Sequence, residues 1–328
     1  MKQLAYVGRI HTIDSIENAD RIVQARVICG EGGIWNCVVQ KDAFSLSDKC
    51  LIFLQDAILP PSSDYGFMEK LHWRIRMSRF RGAISEALVL PMQEQFANLE
   101  VGTDITEEFG VTKYIKDSPL MSTESKGNFP YFIPKTDEVN YQKLSRVLQY
   151  LSDFDEYVYI TQKLDGSSVT FFKKDNELRA CSRNLELRMR VDSTIWKMVE
   201  KYDLENVLPN NIVIQAELVG PGIQKNPMGL SEVDIRVFNV LRINEQGSSS
   251  DYLDHDDVIR ICSECKLKTV PILKTDFKFN DLGDFALLAE GVYPNGNQQE
   301  GVVVRPMHEM KFNGERVSFK IINLLYKD

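Results

Sequence analysis

Hydrophobic and polar positions alternate in short runs through the first hundred residues. Leu4 to Ile13, Arg21 to Cys29, Ile34 to Gln40, Cys50 to Gln55, Trp73 to Arg81 and Ile84 to Leu90 are each rich in β-branched or aromatic residues. A period of two over such lengths predicts strands. Turn-formers separate them, as at Glu31-Gly32-Gly33 and Pro60-Pro61-Ser62-Ser63. Several short strands with no long helical stripe predict a small closed sheet, and an OB-fold barrel over residues 1–100 is the natural candidate.

The pattern weakens from Val101 to Asn128, and Ser122 to Gly127 reads as a flexible linker, so 101–128 is expected to join two domains. Beyond it the character is mixed. Leu144, Val147, Leu148 and Leu151 mark a helical stripe in Tyr141–Leu151, as do Ile195, Met198, Val199 and Tyr202 in Arg190–Tyr202. Strands are predicted at Glu156–Lys163, Val169–Lys173, Leu178–Ser182, Ile212–Leu218, Ile235–Val240, Gly301–Pro306 and Arg316–Ile321, with a surface loop at Gly247–Asp251. The expected fold class is α+β: an N-terminal all-β barrel followed by an α+β domain with antiparallel sheets over 129–328.

The length of 328 residues suits two domains, each with its own core. No apolar run approaches the ~18 residues of a membrane span, and Met1-Lys2-Gln3-Leu4 lacks a signal-peptide pattern. Most of the six cysteines lie in apolar or strand-like contexts and read as small buried hydrophobes. Cys262 and Cys265 form a C-x-x-C, but no second pair or nearby histidine completes a zinc set. An intracellular protein, cytoplasmic or nuclear, is expected.

A net charge of −8 argues against nucleic-acid binding by bulk charge. It leaves room for a local basic groove, because screening makes nearby charges dominate. Lys70, Arg74, Arg76, Arg79 and Arg81 occur with no acidic residue among them, and Trp73 and Phe80 interleave. Arg74 and Arg76 would share one strand face, as would Arg79 and Arg81. Aromatic stacking with phosphate contact is how OB-folds hold nucleic acid; the alternative is a solvated basic strand, or one docked on acidic surface.

The candidate chemistry begins at Thr161-Gln162-Lys163-Leu164-Asp165-Gly166, at the end of a β-prone run. A strand end presents Lys163, Asp165 projects to the same side, and Gly166 lets the chain turn. K-x-D-G alone is a weak motif, since many solvated turns match it. Four further segments follow in order: Ile214-Gln-Ala-Glu217, Val237-Phe238-Asn239-Val240, Glu300-Gly-Val-Val-Val304 and Ser318-Phe-Lys320-Ile-Ile322.

This order resembles the covalent nucleotidyltransferases, the ATP-dependent ligases and capping enzymes. The closer resemblance is to ATP-dependent RNA ligases of the Deinococcus and Naegleria type, which place an OB domain before the catalytic domain. Phe132-Ile-Pro-Lys-Thr-Asp-Glu138, Cys181-Ser-Arg-Asn184, Leu218-Val-Gly-Pro-Gly-Ile-Gln-Lys-Asn226 and the Lys320 segment carry it. Capping enzymes and DNA ligases usually carry the OB domain after the last motif. A catalytically silent nucleic-acid binder would be expected to have lost Lys163, Glu217, Glu300 or Lys320, and all four are present.

The resemblance implies that Lys163 is the nucleophile toward ATP and that Lys320 steadies the α-phosphate. Gln162, Asp165, Gly166, Arg183, Glu217, Phe238 and Glu300 would line the nucleotide, with Phe238 offering a flat face to adenine and Arg183 reaching the ribose or a phosphate. Asp165, Glu217 and Glu300 would hold Mg²⁺ or Mn²⁺ through water. The implied partner is RNA, or an RNA-containing nicked duplex; the sequence does not give the oligomeric state, with a monomer favoured. Plainer alternatives stand beside these: an exposed turn lysine at 163, solvated strand ends at Glu217 and Glu300, a core ring at Phe238 and a surface arginine at 183. Two departures matter. Gln162 stands where many relatives have Glu, and Ser318 occupies the first position of what is often K-x-K.

Overall fold

The computed structural model describes residues 3–114, 125–190 and 192–326. The chain divides into two compact units, Met1–Asp117 with Gln142–Arg146, and Ser118–Tyr141 with Val147–Asp328.

The first unit is built on β1 (Ala5–Ser15), β2 (Ile22–Cys29), β3 (Gly33–Gln40) and β4 (Lys49–Leu54). Shorter pieces follow: β5 (Ala57–Ile58), β6 (Ser78–Phe80), β7 (Ala83–Ser85), β8 (Ala87–Pro91) and β9 (Thr112–Lys113). The main sheet runs β3-β2-β1-β4-β8. Glu86 N donates to Asn36 O at 2.8 Å, drawing the β7–β8 segment against β3 and curling the sheet toward closure. The two faces of β1 feed different cores, as a period of two requires. Ala5 and Val7 pack with Leu51, Phe53 and Tyr65, while Tyr6 and Ile10 pack with Ala25, Val27 and Ile52.

Two predicted strands of this unit are broken. Ile84–Leu90 divides at Glu86, whose carboxylate accepts from Asn36 N and Nδ2 at 2.9 and 2.8 Å. Trp73–Arg81 is not one strand. His72 and Trp73 take φ of 50° and 61°, Arg74 makes an isolated bridge to Ile58, and only β6 pairs, in a hairpin with β7 that turns at Arg81-Gly82. The two consecutive left-handed residues turn the chain ahead of Arg74, and buried Ile75 still separates Arg74 from exposed Arg76.

Part of the expected linker, residues 115–124, lies outside the described residues. Ser125–Asn128, read as its end, is an edge strand, β10, paired antiparallel with β15 (Leu185–Leu187). Backbone hydrogen bonding recruits this polar segment without any apolar pattern to announce it.

The second unit holds two sheets. One runs β10-β15-β14-β13-β16-β17-β18, through β13 (Ser167–Lys174), β14 (Glu177–Ser182), β16 (Ile212–Val219), β17 (Asp234–Ile243) and β18 (Ser250–Tyr252). The other runs β11-β23-β20-β12-β19, through β11 (Val139–Asn140), β12 (Tyr157–Lys163), β19 (Ile272–Lys278), β20 (Gly301–Pro306) and β23 (Phe319–Ile322). Within these sheets only β11–β23 is parallel. The predicted strand Arg316–Ile321 is split: Arg316 belongs to a hairpin, β21 (Lys311–Phe312) with β22 (Glu315–Arg316), and β23 starts at Phe319.

The helices are α1 (Ser145–Phe154), α2 (Thr194–Lys201), α3 (Leu204–Val207), α4 (His255–Glu264) and α5 (Phe285–Ala289). The predicted stripes lie in α1 and α2 except for Leu144, just before α1, and Tyr202, just after α2, while Tyr141–Lys143 is a 3₁₀ turn. The inner residues of β13, β14, β16 and β17 meet α2, α3 and α4 in the largest core, which takes in Cys262 and Cys265. Burial pushes the Cys262 thiol up to about 12, so it behaves as a hydrophobe. No helix among the described residues is long and apolar enough to cross a membrane.

Candidate active site

β12 ends at Lys163, and its register with β20 sets Lys163 opposite Gly301. Glu300, one residue before, turns its carboxylate to the lysine, and Lys163 Nζ stands 2.5 Å from Glu300 Oε1. Gly301 is required here. Its φ is +148°, and a Cβ would fall 2.1 Å from Ile321 O on the neighbouring strand. Gly166 lets β12 cross to β13 for a similar reason: a Cβ there would sit 2.3 Å from Leu218 O and 2.8 Å from Glu217 Cγ.

Glu217 comes from β16, on the face opposite the large core, level with Ser168 of β13 and Arg236 of β17. Its carboxyl is pushed up to about 8, first by burial and then by Glu300 and Asp165, with Lys163 opposing. Lys163 feels burial, which favours the neutral amine, but Glu300, Glu217 and Asp165 outweigh it and raise its pKa above the ordinary lysine value. Asp165 accepts a hydrogen bond from the Tyr326 hydroxyl at 2.5 Å. Three carboxyl groups thus surround one ammonium. Glu300 Oε2 is buried with no hydrogen-bond partner, an acceptor left over for a positive or hydrogen-donating group. Among the described residues no group of three or more His, Cys, Asp or Glu is arranged to grip a metal ion.

Thr161, Val303 and Lys320 form one cross-strand row through β12, β20 and β23. Lys320 therefore projects to the same face as Lys163, while its neighbours Phe319 and Ile321 are buried on the other side. Phe238 sits on β17 beside the bulge opposite Gln215 and Ala216. It is partly buried against the cluster of Leu164, Val219, Val270 and Tyr293.

The remaining candidates differ in their surroundings. The Gln162 side chain points to the reverse face, where Nε2 donates to Gln299 Oε1 at 2.7 Å. Arg183 lies beyond the end of β14 and donates to Asp137 Oδ1. The four candidate arginines of the first unit fall into two groups. Arg74 is paired with Asp56 at 2.7 Å and lies over the Tyr114 ring at 3.5 Å. Arg76, Arg79 and Arg81 are exposed, beside an exposed Phe80.

Sequence reasoning missed several residues. The Tyr293 hydroxyl donates to Lys163 O at 3.2 Å and accepts from Glu300 N at 3.3 Å. Asn323 Nδ2 donates to Gln299 O at 2.9 Å, and Asn323 N to Glu300 O at 2.9 Å. Tyr326 holds Asp165. None lies in a periodic run; the one signal was the polar density of Asn295-Gly-Asn-Gln-Gln-Glu300 ahead of a wholly apolar strand.

A strand-end lysine ringed by carboxyl groups, with a second lysine on the same face and an aromatic ring nearby, is the site of a nucleotidyltransferase. A family model described as RNA ligase matches residues 156–322, and one described as an OB-fold domain matches residues 4–92. The chain belongs to the RNA ligase family. No curated protein matches it in a sequence comparison. Among solved structures it is similar to the Naegleria gruberi RNA ligase with pyrophosphate, at 28% identity and TM-score 0.80, covering 98% of this chain and 97% of that one. A mutant of that ligase with AMP and Mn gives 28% and 0.81 over 98% and 97%. Another with ATP and Mn gives 29% and 0.78 over 98% and 96%.

Proposed function

We propose that this ATP-dependent RNA ligase works through a covalent lysine–AMP intermediate at Lys163. The observation that carries the reading is the contact of Lys163 with Glu300 inside a ring of three carboxyl groups. Lys163 Nζ gives up a proton, with Glu300 Oε1 at hand to accept it, and attacks the α-phosphorus of ATP. The Nζ–P bond forms, the bond to the β-phosphate oxygen breaks, and pyrophosphate leaves. Lys320 neutralises the α-phosphate oxygens during transfer, and Phe238 offers its ring to adenine. AMP then passes to a 5′-phosphate oxygen of RNA, freeing Lys163. A 3′-hydroxyl then attacks the phosphorus of that RNA 5′-phosphate, the anhydride bond to AMP breaks, and AMP leaves behind a phosphodiester.

A hydrated Mg²⁺ or Mn²⁺ held by Asp165, Glu217 and Glu300 would supply positive charge that lowers the lysine pKa and offsets the triphosphate. The unpartnered Glu300 Oε2 and the raised Glu217 carboxyl support that fit. The substrate is RNA ends, with a nick in a duplex as the preferred geometry. Arg76, Arg79 and Arg81 beside Phe80 are the proposed RNA contacts of the first unit.

The test is incubation with α-labelled ATP or GTP and Mg²⁺, then denaturing electrophoresis, then addition of a nicked duplex with an RNA 3′-hydroxyl. The expected result is label retained on the protein from ATP only, and discharged when the nick is sealed. Sealing without a labelled protein would overturn the covalent route.

A further inference from the structure

Lys320 is carried by β23, and one of the two strands flanking β23 is very short. β11 has two residues, Val139 opposite Phe319 and Asn140 opposite Lys320. Two residues of parallel pairing hold little by themselves. The residue just before them, Glu138, supplies an anchor. Its Oε1 accepts from Arg305 Nη2 of β20 at 2.6 Å, and its Oε2 accepts from Ser318 Oγ, just ahead of β23, at 2.6 Å. Arg305 Nε donates back to Ser318 Oγ at 3.1 Å, closing a three-membered clamp.

The clamp reaches the other sheet of the unit. Arg316 Nη1 lies 3.9 Å from Glu138 Oε1 and donates to Asn239 Oδ1 at 3.1 Å. Asn239 follows Phe238 on β17, and its Nδ2 donates to Gln215 Oε1 at 2.8 Å. One carboxylate therefore ties the Lys320 strand to the strand that carries Phe238. Arg305 is 1% exposed and its Nη1 has no partner. A buried guanidinium cannot lose its counter-ion cheaply, so Glu138 is held in place. Burial pushes the Glu138 carboxyl up, but Arg305 and Arg316 outweigh burial and leave it below the ordinary value. The clamp stays charged throughout the neutral range.

We propose that Glu138 is a positioning residue for adenylyl transfer: through Arg305 and Ser318 it fixes β23 so that Lys320 meets the α-phosphate. The proposal rests on the role given to Lys320 above. The function of the clamp is geometric, since Glu138 is bonded to the clamp and not to Lys163.

The experiment is a double-mutant cycle of Glu138→Gln and Lys320→Ala, reading the single-turnover rate of lysine–AMP formation and, separately, the KM for ATP. Glu138→Gln in the otherwise intact enzyme is expected to slow adenylylation roughly ten- to hundredfold, the usual cost of a displacement near 1 Å, with a smaller change in KM. In the Lys320→Ala background the same change should add less than about twofold, because nothing remains to be positioned. Equal fold losses in both backgrounds would mean a general structural role and overturn the proposal. So would an undiminished rate in Glu138→Gln. Unchanged adenylylation in Lys320→Ala alone would instead overturn the Lys320 assignment. If Glu138→Gln fails to fold, Ser318→Ala leaves the Glu138–Arg305 pair intact and carries the same cycle with the same outcomes.

Discussion

Lys163 and Glu300 are in direct contact, Nζ to Oε1 at 2.5 Å, and this pairing sets the resting state of the site. Burial alone would favour a neutral amine, but the three carboxyl groups outweigh it. The free enzyme thus holds a charged, unreactive lysine. Its pKa falls only when another positive charge satisfies the carboxylates, so the nucleophilic role proposed for Lys163 requires loading of the site.

Replacing Lys163 with Ala or Arg should abolish the covalent AMP adduct. Arginine keeps the charge but cannot deprotonate to attack. Labelling with α-labelled ATP and denaturing electrophoresis checks this; wild-type labelling of either variant would place the nucleophile elsewhere.

Glu217→Ala and Glu300→Ala should each reduce metal-dependent adenylylation by roughly a hundredfold or more, the scale of losing one preorganised electrostatic group. Melting temperatures should stay near wild type, because both side chains face the cluster rather than a core. Full activity of both variants at limiting Mg²⁺ would refute the assignment.

The pH dependence of metal use follows from Glu217, whose carboxyl is pushed up to about 8. An acid with a raised folded pKa binds more protons folded than unfolded, so its contribution to stability falls as pH rises from the ordinary carboxylate range through that value. Ionisation is also what a cation needs. The Mg²⁺ concentration for half-maximal adenylylation should therefore drop as pH rises toward 8 and level off above it. Glu217→Gln should flatten that dependence and relieve the loss of thermal stability at high pH. Titration of Lys163 would move the maximal rate, not this midpoint.

In the first unit the arginines should behave differently. Arg74 is engaged by Asp56 and Tyr114, so Arg74→Ala should lower the melting temperature and leave the salt dependence of RNA binding almost unchanged. Arg76→Ala with Arg81→Ala should weaken binding and reduce the log–log salt slope by about 1.4–1.8, near 0.7–0.9 per lost phosphate contact. Binding titrations at several salt concentrations distinguish the two.

Gly301→Ala should destabilise the second unit by more than about 2 kcal/mol, since it combines a strained φ with a backbone clash. Denaturant unfolding measures this, and adenylylation should fall with it because Glu300 and Lys163 flank the same position.

The alternation along the chain determined most of the long strands within a residue or two, because a half-buried strand must alternate; it did not mark β19, and β17 runs three residues past the expected end. It determined that Lys320 faces away from Phe319 and Ile321, and the order of the five segments marked Lys163, Asp165, Glu217, Phe238 and Glu300. It could not reveal which strands become neighbours, and that decided the rest. Lys163 meets Glu300 only because β12 pairs with β20. Glu138 meets Arg305 across 167 residues. Gln162 turned out to serve the reverse face, Arg74 to be neutralised by Asp56, and the basic run to be broken by two left-handed residues. A period of two specifies which side of a strand is buried; the partner, the register and the ion pairs that follow are fixed only when sheets form and each buried charge must find its counter-charge.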